Sequence, residues 1–154
     1  MEVRDLRGLL MTVTNGRVLL PNASVAEVIT FSEPERIANA PNWLYGRIRW
    51  RGWRIPLISF SLLVGMALEE RAEGSRVAVV KALEDPLKLP YIGVLTQGFP
   101  RLTTVSPDIL VPNLDFTGER PGVLVNLMLR DDQVVIPDLA AIENALRDVF
   151  AAAA

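Results

Sequence analysis

Short apolar runs, separated by glycine and proline, make up most of the chain. The first run extends from Leu6 to Val13 and is followed by Asn15-Gly16, a dipeptide typical of a two-residue hairpin turn. A return strand is expected over Arg17–Leu20. It should stop at Pro21, because proline cannot donate a hydrogen bond to a sheet. The pattern therefore predicts that the chain opens with a β-hairpin.

A second hairpin is predicted around Arg51-Gly52, with strands over 45–50 and 53–59. Successive side chains of a strand point to opposite faces. The first strand therefore has two sets of side chains, with Tyr45, Arg47, Arg49 and Arg51 on one face and Leu44, Gly46, Ile48 and Trp50 on the other.

Five further runs have the length and spacing of strands in barrels and sandwiches, namely 76–81, 91–95, 99–105, 123–129 and 133–136. Helix is predicted in three places. Ser24 and Glu27 have the spacing of a capping box, which predicts a short helix there. Residues 61–64 are typical of a helical turn. Apolar residues recur at helical spacing after Asp138, which should cap an amphipathic C-terminal helix.

These elements predict a mainly β protein, and its 154 residues fit one domain. Ile55-Pro56 and Ile136-Pro137 each precede a predicted helix, and an arginine precedes each pair by a few residues. This repeat favours two small β-barrel halves, packed together, over one large barrel. The charged stretch over 69–75 is the predicted boundary between the halves.

Composition excludes several classes of function. The chain has no cysteine, which excludes disulfide bonds and zinc sites with thiolate ligands. It has no histidine, which removes the usual proton-transfer group and the commonest metal ligand. The longest uncharged run, Ile55 to Leu68, is too short to span a bilayer, and the first residues lack the pattern of a signal peptide. A cytoplasmic protein is expected.

No catalytic constellation stands out in the sequence. The serines have no histidine to act as base, and no glycine-rich phosphate loop is present. The paired carboxylates Glu69-Glu70 and Asp131-Asp132 are predicted to lie in exposed turns. We therefore expect a non-enzymatic protein that binds no cofactor or metal.

The segment 47–54 is the most unusual in the chain, because it contains four arginines within eight positions, interleaved with Trp50 and Trp53. One interpretation is a solvated hairpin whose arginines protect a sheet edge. Another is a protein-binding surface, since tryptophan and arginine dominate interface hot spots. A third is a barrel that binds single-stranded nucleic acid. The net charge of −2 disfavours the third.

The stretch from Val25 to Phe60 resembles the central region of the CheW-like family of chemotaxis coupling proteins. The fixed points of the family pattern occur here in the same order and at the family spacing: Glu27, Pro41, Gly46, Arg51-Gly52 and Pro56. The resemblance implies two small SH3-like β-barrels with short connecting helices, and no cofactor. It also implies an adaptor that bridges the cytoplasmic tip of a chemoreceptor (a methyl-accepting chemotaxis protein) to the regulatory domain of a CheA-type histidine kinase.

The resemblance implies receptor or kinase contact at Val25, Glu27, Gly46 and Arg51. The predicted partner-binding residues are these four together with Trp50 and Gly52 of the same hairpin, and Arg51 is the leading candidate. Several of these residues also have a structural interpretation. Glu27 would complete the capping box, Gly46 would allow a close approach of neighbouring backbone, and Val25 would belong to the core. Of these residues, Arg51 is expected to contribute least to the folded structure.

Three departures from the family pattern suggest a diverged member. Arg49-Trp50 replaces Asn-Leu, Ser59 replaces aspartate, and residues 98–101 replace an acidic-hydrophobic motif. In this respect the chain resembles the CheW-like proteins of type IV pilus, or twitching, chemosensory systems.

Overall fold

The described residues form two β-sheets, short helical segments and a C-terminal helix. The structure is a computed structural model that describes residues 6–70, 74–83, 89–105, 110–112, 123–129 and 132–153. The strands of the described residues are β1 (Leu6–Val13), β2 (Gly16–Pro21), β3 (Val25–Thr30), β4 (Leu44–Trp50), β5 (Trp53–Ile58), β6 (Arg76–Lys81), β7 (Tyr91–Thr96), β8 (Arg101–Val105), β9 (Leu110–Pro112), β10 (Val123–Leu129) and β11 (Asp132–Pro137). The helices are α1 (Phe60–Leu63), α2 (Leu139–Ala153) and a 3₁₀ turn (Asn22–Ser24). The predicted class, mainly β with a C-terminal helix, is confirmed.

The two sheets have the same internal arrangement. The first has the strand order β8-β1-β2-β11-β10-β9, and the second β3-β6-β7-β5-β4. Each contains one parallel contact, β2 with β11 and β5 with β7, between antiparallel pairs. A helix follows β5 and another follows β11. The Ile-Pro repeat therefore lies in corresponding strands, as expected for related halves.

The predicted boundary at 69–75 does not separate the two sheets. Strands β3 to β7 form the second sheet, whereas the first combines β1 and β2 with β8 to β11. The sheets therefore divide at the 3₁₀ turn and at 97–100. Residues 69, 70, 74 and 75 lie in the connection that the parallel β5–β7 contact requires, and residues 71–73 lie outside the described residues. Glu70, expected in an exposed turn, is half-buried and accepts a hydrogen bond from the Thr14 backbone N–H at 3.3 Å.

Burial on both faces of the central strands explains the long apolar runs. In β6, Val77 and Val79 face a cluster inside the second sheet, whereas Ala78 and Val80 face a cluster shared by both sheets and α2. A third cluster lies inside the first sheet, around Leu10 and other residues of β1, β2, β8, β10 and β11. The high apolar content is thus used within the chain to join two barrels.

The helix predicted at Ser24 is wrong. The 3₁₀ turn ends there, and residues 25–30 form β3 instead, paired with β6. The sequence of β3, VAEVIT, is rich in β-branched residues, which favour a strand that has a partner to pair with. Long-range pairing thus overrides the capping-box spacing, and Glu27 becomes a strand residue.

Helix α2 begins as predicted. The Asp138 carboxylate accepts a hydrogen bond from the Ala141 backbone N–H at 3.1 Å, which is the expected N-cap. Ile142 and Leu146 enter the shared cluster. Glu143 is also buried, and accepts from the Leu83 backbone N–H.

Candidate functional site

The β4–β5 hairpin turns at Arg51-Gly52, as the sequence predicts. Trp50 pairs with Trp53, and the two residues between them have φ values of 46° and 81°. Positive φ at both central positions is the geometry of a type I′ turn, whose twist matches that of the flanking strands. A Cβ added at Gly52 would meet nothing within 4 Å, so the tip is open to solvent.

The two faces of β4 are as predicted. Leu44, Gly46, Ile48 and Trp50 are buried, whereas the alternate residues are half-buried or exposed. On the outer face the Arg47 guanidinium lies 4.6 Å from the centre of the Phe150 ring, near the end of α2. Arg47 is therefore engaged within the molecule through a cation–π contact.

Glu27 reaches the hairpin from the far edge of the second sheet. Its Oε2 accepts a hydrogen bond from the Trp50 indole N–H at 2.6 Å. Arg51 forms an ion pair with the same carboxylate, with 3.4 Å between Nε and Oε2. Since β3 and β4 are the two edges of a five-stranded sheet, these side-chain contacts bring the edges together and close a barrel.

The surroundings of Glu27 favour its charged form. The Trp50 hydrogen bond, followed by the hydrogen bond and charge of Arg51, holds the pKa of Glu27 below its ordinary value, and partial desolvation opposes this. Arg51 remains exposed over 68% of its side chain and Glu27 over 36%. The ion pair is therefore solvated, and its members are accessible to another molecule.

The base of the hairpin is closed by backbone atoms. Glu35 and Arg47 exchange two N–H to O hydrogen bonds of 2.8 and 2.9 Å. A Cβ at Gly46 would lie 2.2 Å from the Glu35 carbonyl oxygen, and the φ of Gly46 is +140°. Only glycine fits here. The backbone of Glu35 lies directly against Gly46, which is the close approach that the structural interpretation of this glycine predicts. Arg54 donates to the Glu35 carboxylate at 2.6 Å.

Aromatic rings complete the tip. The Trp50 and Tyr91 rings form an edge-to-face contact with centroids 4.7 Å apart, and the Trp53 ring lies 6.3 Å from Tyr91. The Arg51 guanidinium lies 5.3 Å from the Trp50 ring. Trp53 is 47% exposed, which is unusual for so large an apolar side chain. We call Glu27, Trp50, Arg51, Trp53 and Tyr91 the hairpin cluster.

Sequence reasoning assigned part of this cluster. Glu27, Trp50, Arg51 and Gly52 come together at the tip, whereas Gly46 lies at the base. Val25 faces the shared core, because a bulge between Val25 and Glu27 turns residues two apart to different sides. Tyr91 was missed, since only the β5–β7 contact brings it to the hairpin. Nothing in its sequence context, at the start of a strand after Pro90, indicates a contact with the hairpin.

The hairpin cluster combines charged and aromatic groups at the surface. It presents a guanidinium, a carboxylate and an exposed indole, which suit binding to a protein surface. Within the described residues, no group of three or more acidic side chains could hold a metal ion. No helix of the described part of the chain is both long enough and apolar enough to cross a bilayer.

Comparisons with known proteins agree with the fold. The chain is similar in structure to the scaffolding protein TtCheW from Thermoanaerobacter tengcongensis, with a TM-score of 0.71 and 18% sequence identity over 90% of this chain and 87% of that one. No curated protein matches the sequence. The model of the CheW-like domain family matches residues 7–146, most of the length of the chain. The chain therefore belongs to the CheW-like domain family.

Proposed function

We propose that this protein is a cytoplasmic adaptor that couples chemoreceptors to a histidine autokinase in a bacterial chemosensory array. The observation that carries the proposal is the family match over 7–146, together with a two-sheet fold that is similar to that of a CheW scaffolding protein. An adaptor acts by binding two proteins at once, so it needs rigid, exposed surfaces and no catalytic groups.

The hairpin cluster is the proposed partner-binding surface, and Arg51 is its centre. Two strands and a tight turn fix the backbone at this point, while the guanidinium itself is exposed. A preorganised arginine binds with little loss of backbone freedom, and its planar group suits a carboxylate. Gly52 allows the turn. Trp50 and Glu27 shape the surface around Arg51. Gly46 and Val25 contribute by holding the barrel that presents it.

The departures from the family pattern support a diverged branch. Arg49-Trp50 adds a cation and an indole to the hairpin, and residues 98–101 place an exposed Phe99 between β7 and β8. We propose, in line with these differences, a member of a type IV pilus chemosensory system.

Binding of single-stranded nucleic acid is disfavoured by the pairing of the arginines. Arg51 is paired with Glu27 and Arg54 with Glu35, so two of the four cations of the segment are balanced by carboxylates. Arg47 lies on the Phe150 ring. Affinity for nucleic acid depends mainly on cations that are available to neutralise phosphates.

The test is direct titration. The purified protein is titrated with the cytoplasmic tip fragment of a chemoreceptor and with a kinase regulatory domain, both encoded in the same genome, and with single-stranded DNA. We expect both protein fragments to bind, and Arg51→Ala to weaken at least one of them by about 2 kcal/mol, roughly thirtyfold.

The matched control is Arg49→Ala, which removes an exposed arginine of the adjoining strand β4, outside the cluster. It should change the affinity by less than about 0.5 kcal/mol, as is usual for isolated surface charges. Binding of DNA but of neither protein fragment would overturn the adaptor function.

A further inference from the structure

The Glu27 carboxylate has two donors of different character. The Trp50 indole N–H is 2.6 Å away, on a residue that is only 8% exposed and is packed against Tyr91. The Arg51 contacts are both 3.4 Å long, and the arginine side chain is 68% exposed. The short bond thus comes from a fixed ring, whereas the long ones come from a flexible side chain.

These geometries predict different strengths. A short hydrogen bond to a charged acceptor, protected from water, is stronger than a long, solvated ion pair. The Trp50 ring also cannot move away without disturbing the cluster formed by Ile48, Ile55, Leu57 and their neighbours. Arg51 can rotate into solvent and leave this packing unchanged.

We propose that Trp50 is a positioning residue: its indole N–H fixes Glu27, so that Arg51 is free to exchange Glu27 for an acidic side chain of a binding partner. The exchange leaves no carboxylate without a donor, because Glu27 keeps the indole. Without the indole, release of Arg51 would leave the Glu27 carboxylate with no other donor that the described residues show, which would oppose binding. The class of partner group follows from the guanidinium, which binds a carboxylate through two parallel hydrogen bonds.

The first half of the proposal concerns the free protein. Its test is the rate at which the indole N–H protons exchange with water, measured by nuclear magnetic resonance. The chain has three tryptophans, so Trp43 and Trp53 are internal references, and the variants Trp43→Phe and Trp53→Phe together assign the three signals. A hydrogen-bonded, buried N–H exchanges only when the contact opens.

Three variants separate the two donors. Glu27→Ala removes the acceptor and should speed exchange of the Trp50 indole by about tenfold or more. Glu27→Gln keeps an oxygen acceptor but loses the charge that Arg51 needs, so exchange should stay within about threefold of the parent. Arg51→Ala should also leave it within about twofold, since the indole contact does not depend on the arginine. Loss of protection in Arg51→Ala as large as in Glu27→Ala would overturn the proposal.

The second half rests on the proposed function and is tested with the receptor-tip fragment and the kinase regulatory domain. On binding, the Arg51 Nε–H signal should shift, while the Trp50 indole keeps its slow exchange. An unshifted Arg51 signal in the complex, or a released indole, would refute the exchange of partners. If the parent protein binds neither fragment, the adaptor function and the release of Arg51 both fail, while the exchange rates of the free protein still decide the role of Trp50.

Discussion

The two ends of strand β4 are closed in different ways. At the base, Glu35 and Arg47 join through two backbone hydrogen bonds, and Gly46 leaves no space for a side chain. At the tip, the closure depends on the side chains of Glu27, Trp50 and Arg51. Backbone closure tolerates little change, whereas a side-chain closure with an exposed member can open and close again. The base is therefore suited to holding the barrel, and the tip to recognition.

The largest effect is expected at the base. In Gly46→Ala a Cβ would lie 2.2 Å from the Glu35 carbonyl oxygen, at a φ of +140° that alanine rarely adopts. We expect a loss of about 3 kcal/mol or more in the free energy of unfolding, measured by denaturant titration. Gly52→Ala, also at positive φ but in open space, is the control and should cost about 1 kcal/mol. Equal losses would show that conformation, and not the close approach, sets the requirement at Gly46.

An intermediate effect is expected at Arg47. Arg47→Ala removes the cation–π contact with Phe150 and should lower the free energy of unfolding by about 1 kcal/mol. Phe150→Leu, which keeps an apolar side chain but loses the π face, should give most of the same loss. In the double variant the losses should not add, since both remove one contact. Fully additive losses would mean that the two side chains do not interact.

A smaller effect on stability is expected at the tip. Arg51→Ala should change the free energy of unfolding by no more than about 0.5 kcal/mol, because the ion pair with Glu27 is solvated. The measurement is a denaturant titration run beside the binding titration of the same variant. An Arg51→Ala protein that unfolds as readily as Gly46→Ala would remove the contrast between the two ends.

The smallest effect is expected in the acid limb of the stability profile. The pKa of Glu27 is lowered in the folded state, so its contribution is fully present above its ordinary pKa and is lost as pH falls through the lowered value. Glu27→Gln should therefore show a shallower fall in stability below about pH 4.5 than the parent protein. A slope in Glu27→Gln as steep as in the parent would contradict the charge we assign to Glu27.

Elements whose signals are local could be predicted from the amino-acid sequence alone. The first hairpin, whose turn residues are Thr14-Asn15 and lie one position before the predicted pair, the turn at Arg51-Gly52, the alternation along β4 and the Asp138 cap all follow from the preferences of a few neighbouring residues. The family pattern around Glu27 and Arg51 also pointed to the β4–β5 hairpin, at whose tip these two side chains meet. Short strands between glycine and proline were sufficient for the fold class.

Features that depend on pairing between distant residues could be found only from the tertiary structure. Pairing with β6 made residues 25–30 a strand, although the Ser24–Glu27 spacing favours a helix. The parallel β2–β11 contact placed β1 and β2 in the same sheet as the end of the chain, so the predicted boundary at 69–75 fell inside the other half. Only closure of the second sheet brought the Glu27 carboxylate to the Trp50 indole, 23 residues away. Such contacts depend on the register of strands and the curvature of sheets, and no short stretch of sequence specifies either.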